Sequence, residues 1–425
     1  MLDRTKAPEA PRFQSFSIKQ VDTSHVGSIP VYFLKSGDQP IIRLEFVFKA
    51  GSWYENKNGL SFLTAKMLSE GSQNYSSKEI AEKIANNGAF LEIHHGLDVV
   101  NVTFFLLEKH ILTLFPIIVE VLTEPIFPEH ELANLKNITN QNLEVNKEKG
   151  QFLSSVEFRK VLFGNGHPYG RQYWQEDISK IDSTEIAEYY RNCFHTGNLE
   201  IFASGQFDGD KLLGLLENYF HSNATRTGTT SKTVAYNLPI PNKVLVEKPD
   251  FLQSSIRIGR HTAPRASREF PDLMILNEIF GGFFGSRLMK NIREDKGYTY
   301  GIHSSVHAMH QATYLVVGTD VKKENTVQTL EEMWKEMRRL QTELVKEDEL
   351  DTVKAYMLGK FVNSINTPFS LMDKFKIIHF AGLEYKYFDH YMSRLQAISP
   401  LEVRELALNT FKEEEFCQVV VGGIS

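Results

Sequence analysis

The fold is decided by a stretch that occurs twice, first as Leu199-Glu200-Ile201-Phe202-Ala203-Ser204-Gly205 and, 217 positions later, as Phe416-Cys417-Gln418-Val419-Val420-Val421-Gly422. Both copies are short apolar runs that end at a glycine, which predicts a buried strand in each. The residues before them repeat at the same offset: Ile181, Glu185, Ile186, Asn192 and Phe194 precede the first copy, and Ile398, Glu402, Val403, Asn409 and Phe411 precede the second. The repeat predicts two homologous halves rather than the three domains that 425 residues would suggest.

A second repeat supports the same division of the chain. Residues 129–136 resemble residues 347–354, at an offset of 218. Between the halves, residues 222–242 are rich in Thr, Ser, Asn, Gly and Pro and lack apolar periodicity, which is typical of a linker. We therefore expect a first domain over 1–221 and a second over 243–425, each large enough to bury a core.

The first half shows an alternation of strand and helix patterns. Residues 41–50 and the pair within 91–107 predict strands, and residues 128–163 predict two long helices. Ser76 and Glu79 form a capping-box pattern on a helix that ends at Gly88. This order predicts an α+β sandwich, with helices covering one face of a mostly antiparallel sheet in each half.

Two segments carry the functional information. The first is Gly59-Leu60-Ser61-Phe62-Leu63-Thr64-Ala65-Lys66-Met67-Leu68-Ser69-Glu70-Gly71-Ser72, an amphipathic helix with Leu60, Leu63, Met67 and Leu68 as its apolar stripe. The second is Gly285-Ser286-Arg287-Leu288-Met289-Lys290-Asn291-Ile292-Arg293-Glu294-Asp295-Lys296-Gly297-Tyr298-Thr299-Tyr300. It places an arginine and a tyrosine seven residues apart, on either side of a Lys-Gly turn.

These two segments resemble the corresponding segments of the M16 (pitrilysin/insulinase-like) zinc peptidases. The resemblance extends over the chain from about residue 41 to the end, but it is specific only in these two places. The resemblance implies two LuxS/MPP-like domains that face each other as a clamshell. It also implies that Arg293 and Tyr300 contact the substrate backbone and the reaction oxyanion, supplied in trans to another chain. Gly281, Gly282 and Gly285 then fit a turn that lets a peptide backbone pass closely. No Gly-Lys-Ser/Thr follows these glycines, so a nucleotide site is not expected.

The zinc motif of that family is missing. Its His-x-x-Glu-His places two histidine ligands at i and i+4 of one helix face and a water-activating glutamate at i+3. Here those three positions are occupied by Phe62, Lys66 and Ala65, respectively, and Asn142 occupies the position of the third ligand. Phenylalanine and alanine offer no lone pair, and a protonated lysine repels a divalent cation. We expect no metal or other cofactor in this chain, with zinc in a partner subunit. A salt bridge from Lys66 to Glu144 could fill the vacated site.

Other candidate metal ligands fail on geometry. In strands, His94 and His95 point to opposite faces, and His303 and His307 lie about 13 Å apart along one face. Cys193 and Cys417 stand in different halves and are expected to be buried, unpaired thiols.

Composition excludes several function classes. The net charge of −6 gives no nucleic-acid footprint. No apolar run reaches the ~18 residues of a membrane span, and residues 1–13 lack the apolar core of a signal peptide. We expect a cytoplasmic protein, or a periplasmic one if a leader has been trimmed.

The expected function is that of the non-catalytic, substrate-binding subunit of a heterodimeric M16-type zinc metallopeptidase acting on unfolded peptides. Alone it would have no peptidase activity. One alternative is a structural subunit of a larger assembly, similar to the core subunits of respiratory bc1 complexes. The other is a homodimeric peptide-binding protein without hydrolysis.

Overall fold

The computed structural model describes residues 18–220 and 239–423. Residues 1–17 and most of the predicted linker lie outside these ranges. Each half forms one sheet. The first sheet consists of β1 (Asp22–Val26), β2 (Ile29–Lys35), β3 (Ile41–Phe48), β4 (Phe90–His95), β5 (Val100–Leu107) and β6 (Leu199–Gly205). The second consists of β7 (Lys243–Glu247), β8 (Gln253–His261), β9 (Ile302–Ala308), β10 (Thr313–Lys322) and β11 (Cys417–Gly422).

The two sheets share one topology. Their strand orders are β1-β2-β6-β3-β5-β4 and β7-β11-β8-β10-β9. The order β2-β6-β3-β5-β4 of the first sheet corresponds to the order β7-β11-β8-β10-β9 of the second. In each sheet the last strand of the half is parallel to one neighbour, β6 to β2 and β11 to β7, and the other neighbouring strands are antiparallel. Strand β1 is an addition at the edge of the first sheet. The duplication and the mostly antiparallel α+β architecture predicted from the sequence are confirmed.

The helices repeat as well. The first half contains α1 (Leu60–Met67), α2 (Ser77–Asn86), α3 (Ile111–Thr123), α4 (Glu129–Lys147), α5 (Gly150–Phe163), α6 (Gln175–Ser179), α7 (Ser183–Cys193) and α8 (Gly209–Phe220). The second contains α9 (Phe270–Asn277), α10 (Thr326–Thr342), α11 (Glu347–Asn363), α12 (Pro368–Phe380), α13 (Lys386–Ala397) and α14 (Pro400–Thr410). Two π-helical turns, Glu278–Gly282 and Met289–Asp295, follow α9.

Local signals fix several of these boundaries. The Ser76–Glu79 capping box is present at the start of α2, where the backbone N–H of Ser76 donates to Glu79 Oε2 at 2.8 Å. Gly88, with φ of 62°, ends that helix region in the left-handed conformation. Capping boxes also begin α7 at Asp182 and α14 at Ser399, which stand 217 positions apart. The same capping device therefore survives in both halves.

Each half has its own core between its sheet and its helices. The predicted apolar stripe of α1 is confirmed, because Leu60, Leu63, Met67 and Leu68 are at most 3% exposed. Strand β2 is buried on both faces: Val31 and Phe33 join the core of the first half, whereas Tyr32 and Leu34 face the opposite side. A sheet with two apolar faces needs a second covering layer.

That second layer comes from the other half of the molecule. Helix α5 of the first half packs Phe158, Leu162 and Phe163 against Val316, Val419 and Val421 of the second sheet. Helix α12 of the second half packs Met372 against Tyr32, Leu34 and Phe202 of the first sheet. The two helices begin at Gly150 and Pro368, 218 positions apart, and are counterparts in the duplication. The prediction of helices on one face is therefore correct but incomplete, because the exchanged helices α5 and α12 cover the other face.

Charged and polar contacts accompany the apolar contacts of α12. Arg43 forms a two-pronged pair with Asp373, at 2.9 and 3.1 Å, and Lys376 Nζ lies 2.5 Å from Glu45 Oε1. His379 Nε2 lies 2.5 Å from Glu200 Oε2. Glu45 and Lys376 are largely buried, whereas the Asp373 side chain is 51% exposed. Together these contacts orient α12 on the first sheet.

Candidate functional site

The helix that corresponds to the zinc helix is α1, and a buried carboxylate holds its N-terminus. Glu55, which is 8% exposed, accepts hydrogen bonds from Gly59 N at 3.2 Å, Ser61 N at 3.0 Å and Ser61 Oγ at 2.9 Å. Gly59 has φ of 87°, a conformation that favours glycine. Burial raises the pKa of Glu55 to about 7, although the three hydrogen bonds act in the opposite direction.

His95 continues this hydrogen-bonded chain. Its Nε2 lies 2.6 Å from Ser61 Oγ. When Glu55 is ionised, its carboxylate accepts the single hydroxyl hydrogen of Ser61, and His95 Nε2 then donates to Ser61 Oγ. Burial, followed by the neighbouring charges of His94 and Lys66, lowers the pKa of His95 to about 4, so the ring is neutral at pH 7. The Glu55–Ser61–His95 chain orients α1 relative to β4.

Aromatic packing surrounds the first vacated ligand position. The Phe62 ring stacks on Tyr173 with centroids 5.2 Å apart and meets the edge of His95 at 5.8 Å. Ala65 is fully buried. Within residues 18–220 and 239–423, no group of three or more His, Cys, Asp or Glu side chains is placed to hold a metal ion.

Lys66 and Asn142 occupy the other two vacated positions, and Lys66 does not form the contact that the sequence suggested. Lys66 Nζ donates to the carbonyl oxygen of Ile93 at 3.2 Å, while Glu144 pairs with Lys147 at 3.0 Å. The predicted Lys66–Glu144 salt bridge is wrong, because the edge strand β4 offers a carbonyl closer to Lys66. Asn142 is exposed on α4, and its side chain forms no hydrogen bond with any described residue.

The arginine and tyrosine segment is held by its flanking residues. Tyr298 packs against the core of the second half, and Thr299 Oγ1 donates to the carbonyl oxygen of Asp320 at 2.8 Å. Tyr300 is 93% exposed. Arg293 lies with its guanidinium 4.7 Å from the centre of the Phe284 ring, and among the described residues it has no ion pair and donates no hydrogen bond. The donors of Arg293 and the phenol of Tyr300 therefore remain available to another molecule.

The nearby glycines are packed inside the second half. A Cβ on Gly281 would lie 2.7 Å from Ser304 Oγ, and one on Gly282 would lie 2.5 Å from Glu278 Oε2. A Cβ on Gly285 would lie 2.7 Å from the Phe283 ring. Internal contacts account for the absence of side chains here, and a role of these three glycines in substrate binding stays a prediction.

A cleft of about 1210 Å³ lies between the halves, next to this segment. The first half contributes Glu148 and Lys149 from the turn between α4 and α5, and the second contributes Leu252 and Asp320. Asp320 also accepts the Thr299 hydrogen bond at its carbonyl oxygen, so the segment ends beside a lining residue, although Arg293 and Tyr300 themselves are not part of the lining.

Sequence reasoning missed Glu55, His95 as a partner of α1, and Phe284 beneath Arg293. The Glu-Asn-Lys-Asn-Gly run that ends at Gly59 could have suggested a carboxylate near the helix N-terminus.

The remaining histidines that the sequence singled out have other surroundings, since His307 stacks on Tyr314 and His310 on Phe380. Cys193 and Cys417 are both buried, and neither forms a disulfide with a described residue. No helix within the described ranges is both long and apolar enough to cross a bilayer.

Duplicated α+β halves and a zinc helix without ligands define a metallopeptidase homologue that lacks the metal site. The family model described as "Insulinase (Peptidase family M16)" matches residues 33–164, and the model described as "Peptidase M16 inactive domain" matches residues 180–357. The chain belongs to the M16 peptidase family, as a member without the zinc-binding motif.

Similar proteins include both zinc-protease and non-peptidase names. The chain is 22% identical over 361 residues to the "Uncharacterized zinc protease YmxG" of Bacillus subtilis (84% of this chain, 87% of the relative). It is 19% identical over 381 residues to the "Non-peptidase homolog YmxG" of Helicobacter pylori (89% and 88%). The crystal structure of a peptidase M16 inactive domain from Pseudomonas fluorescens superposes with a TM-score of 0.87 at 22% identity, covering 96% of this chain and 99% of that one.

Proposed function

We propose that this protein is the substrate-binding subunit of a two-chain M16-type zinc peptidase, in which a second chain supplies the metal. One observation carries the proposal: Arg293 and Tyr300 are positioned by the second half, yet their side chains have no polar partner among its described residues, while α1 has exchanged every metal ligand for packing or backbone contacts.

The state of Arg293 favours recognition of a backbone carbonyl or an oxyanion. A guanidinium has five N–H donors in a fixed fork, and stacking on Phe284 restrains its plane without using those donors. An arginine with a purely structural role would be expected to pair with a carboxylate of its own half, as Arg287 does with Glu349 at 2.9 Å. The guanidinium donors of Arg293 are thus positioned to bind an acceptor from outside the second half.

The exposure of Tyr300 supports the same role. Tyr300 is 93% exposed, although the residues immediately before it are hydrogen-bonded and packed. A rigid backbone that presents an extended donor suits a group that acts on a substrate lying in the adjoining cleft. In the complete enzyme, water on the partner's zinc would attack the peptide carbonyl, and Arg293 and Tyr300 would donate to the resulting oxyanion.

The proposal is tested by reconstitution with a zinc-bearing M16 chain of the same organism, using a quenched fluorescent peptide library as substrate. We expect hydrolysis by the mixture and none by either chain alone. Tyr300→Phe is expected to lower kcat by ~10²-fold or more, the typical effect of losing one oxyanion donor. Tyr219→Phe is the matched control, because Tyr219 is also exposed but lies on α8 of the first half.

A second pair of variants tests the arginine. Arg293→Lys keeps the charge but loses the fork of donors, so we expect a lower kcat/KM. Arg268→Lys, at an exposed arginine outside the segment, should have no effect.

Full activity of Tyr300→Phe would remove the oxyanion role. Stable association with a larger assembly without proteolysis would favour a structural subunit, and peptide binding by a dimer of this chain without cleavage would favour a peptide-binding protein.

A further inference from the structure

The second half contains a cavity at the position where the first half has its vacated zinc site. Helices α9 and α11 are the counterparts of α1 and α4 in element order, and Lys360 on α11 stands 218 positions after Asn142. Between these helices, the exchanged helix α12 and helix α13 lies a cavity of about 220 Å³, and the largely exposed Lys360 is among its lining residues. Unlike the region around Phe62, this space is not filled by the protein's own rings.

The wall of this cavity is apolar and largely rigid. It is formed by Phe270, Met274, Met357, Phe361 and Phe388, and all of these except Met274 are at most 6% exposed. An apolar cavity of about 150 Å³ lined by Leu, Ile and Phe side chains is large enough to bind benzene. A short aliphatic chain or one aromatic ring fits this volume.

Three cations stand at the rim of the same cavity. Arg265, Lys360 and Lys374 line it together with a single carboxylate, Glu278, which pairs with Lys360 at 3.0 Å. Lys374 lies 5.3 Å from the centre of the Phe361 ring and Arg265 lies 4.9 Å from that of Phe270. Neither has a carboxylate within ion-pair distance among the described residues. Burial, and then the charges of Arg265 and Lys360, lower the pKa of Lys374.

We propose that this cavity binds a carboxylate that carries an apolar group of about six to eight carbons. The apolar group would fill the space between α9 and α11, and the carboxylate would lie between Arg265 and Lys374, which offer both charge and hydrogen-bond donors. The same chemistry occurs in a free medium-chain or aryl carboxylic acid and in the C-terminal residue of a peptide that ends in a large apolar side chain. The site is separate from Arg293 and Tyr300, so it does not depend on the proposed peptidase role.

Calorimetric titration of the isolated chain tests the proposal. Octanoate is expected to bind with one site per chain, and octan-1-ol, which has the same chain without the charge, is expected to bind at least tenfold more weakly. Lys374→Met and Arg265→Met should each weaken octanoate binding by about tenfold or more. Lys180→Met is the matched control, because it removes an exposed lysine on the first half. Met357→Trp should block the cavity, while the two rim variants leave the core intact.

A comparison of peptides with octanoate distinguishes whether the site binds a free carboxylic acid or the C-terminal carboxylate of a peptide. Two short peptides ending in phenylalanine are titrated, one with a free C-terminal carboxylate and one amidated. Tighter binding of the free-acid peptide than of octanoate, with loss on amidation, assigns the site to peptide ends; binding of octanoate alone assigns it to free acids. The proposal is overturned if octanoate gives no saturable heat at millimolar concentration, if octan-1-ol binds equally well, or if Lys374→Met leaves octanoate binding unchanged.

Discussion

Met372 offers a direct test of how the two halves depend on each other. Its side chain belongs to the second half but is fully buried against the first sheet. Met372→Ala removes three groups beyond Cβ, which at about 0.8 kcal/mol each gives ~2.4 kcal/mol of lost transfer free energy. The cavity left behind raises the cost to ~4 kcal/mol, within the range of ~2–5 kcal/mol for such truncations.

The size of the thermal shift reveals the unit that unfolds. The unfolding entropy is about 2.1 cal/mol/K per residue, which for 425 residues gives roughly 0.9 kcal/mol/K. If the exchanged helices make the halves unfold together, calorimetry should show one transition, lowered by about 4–5 °C in Met372→Ala. A half that unfolds alone has about half that entropy, so its own transition would fall by about 10 °C and the other would stay in place.

Met337→Ala is the matched control, because Met337 is 1% exposed within the second half's own core. In a single cooperative unit both variants lower the same transition by similar amounts. Two separate calorimetric transitions, with one unmoved by Met372→Ala, would refute the coupling that we attribute to α5 and α12.

Two further predictions concern single residues. Because burial raises the pKa of Glu55 from 4.5 to about 7, the folded state holds a proton that the unfolded state has lost between these values, so the free energy of unfolding should fall by ~3 kcal/mol as pH rises from 4.5 to 7. Urea unfolding across this range should show that decline in the native protein and less of it in Glu55→Gln; an equal decline in both would reject the assignment. Gly281→Ala should cost ~1–3 kcal/mol by overpacking against Ser304, whereas Gly359→Ala on α11, with no atom within 4 Å of the new Cβ, should be neutral or stabilise by ~0.5–1 kcal/mol. Equal chemical denaturation midpoints for the two glycine variants would contradict the packing argument.

Much of the fold was predictable because its signals are local or repeated. The capping pattern at Ser76, the apolar stripe of α1 and the matched strands at 199 and 416 each depend on residue types at fixed spacing. The exchange of α5 and α12 was not predictable in the same way. Burial of Phe158 or Met372 shows only that a partner exists, and identifying the sheet that provides it requires the long-range contacts of the folded chain.

In the candidate site, too, some features were predictable from residue types and others depend on contacts of the folded chain. The loss of the zinc motif at Phe62, Ala65 and Lys66 is visible in the sequence, because metal binding depends on residue identity. The partner of Lys66 is not visible, since backbone carbonyls compete with side chains and leave no trace in residue type. The stacking of Arg293 on Phe284 likewise depends on how the π-helical turns are packed.

The reciprocal placement of α5 and α12 bears on the origin of the molecule. Two identical copies of one half, each laying its helix across the other's sheet, would form a two-fold symmetric dimer with the same contacts. Gene fusion would then have turned a bimolecular association into an internal one and freed the two sequences to diverge, so that the zinc helix and the Arg293–Tyr300 segment are now found on different halves. A chain cut between the halves should accordingly remain one particle, because the two crossed helices, not covalent continuity, hold it together.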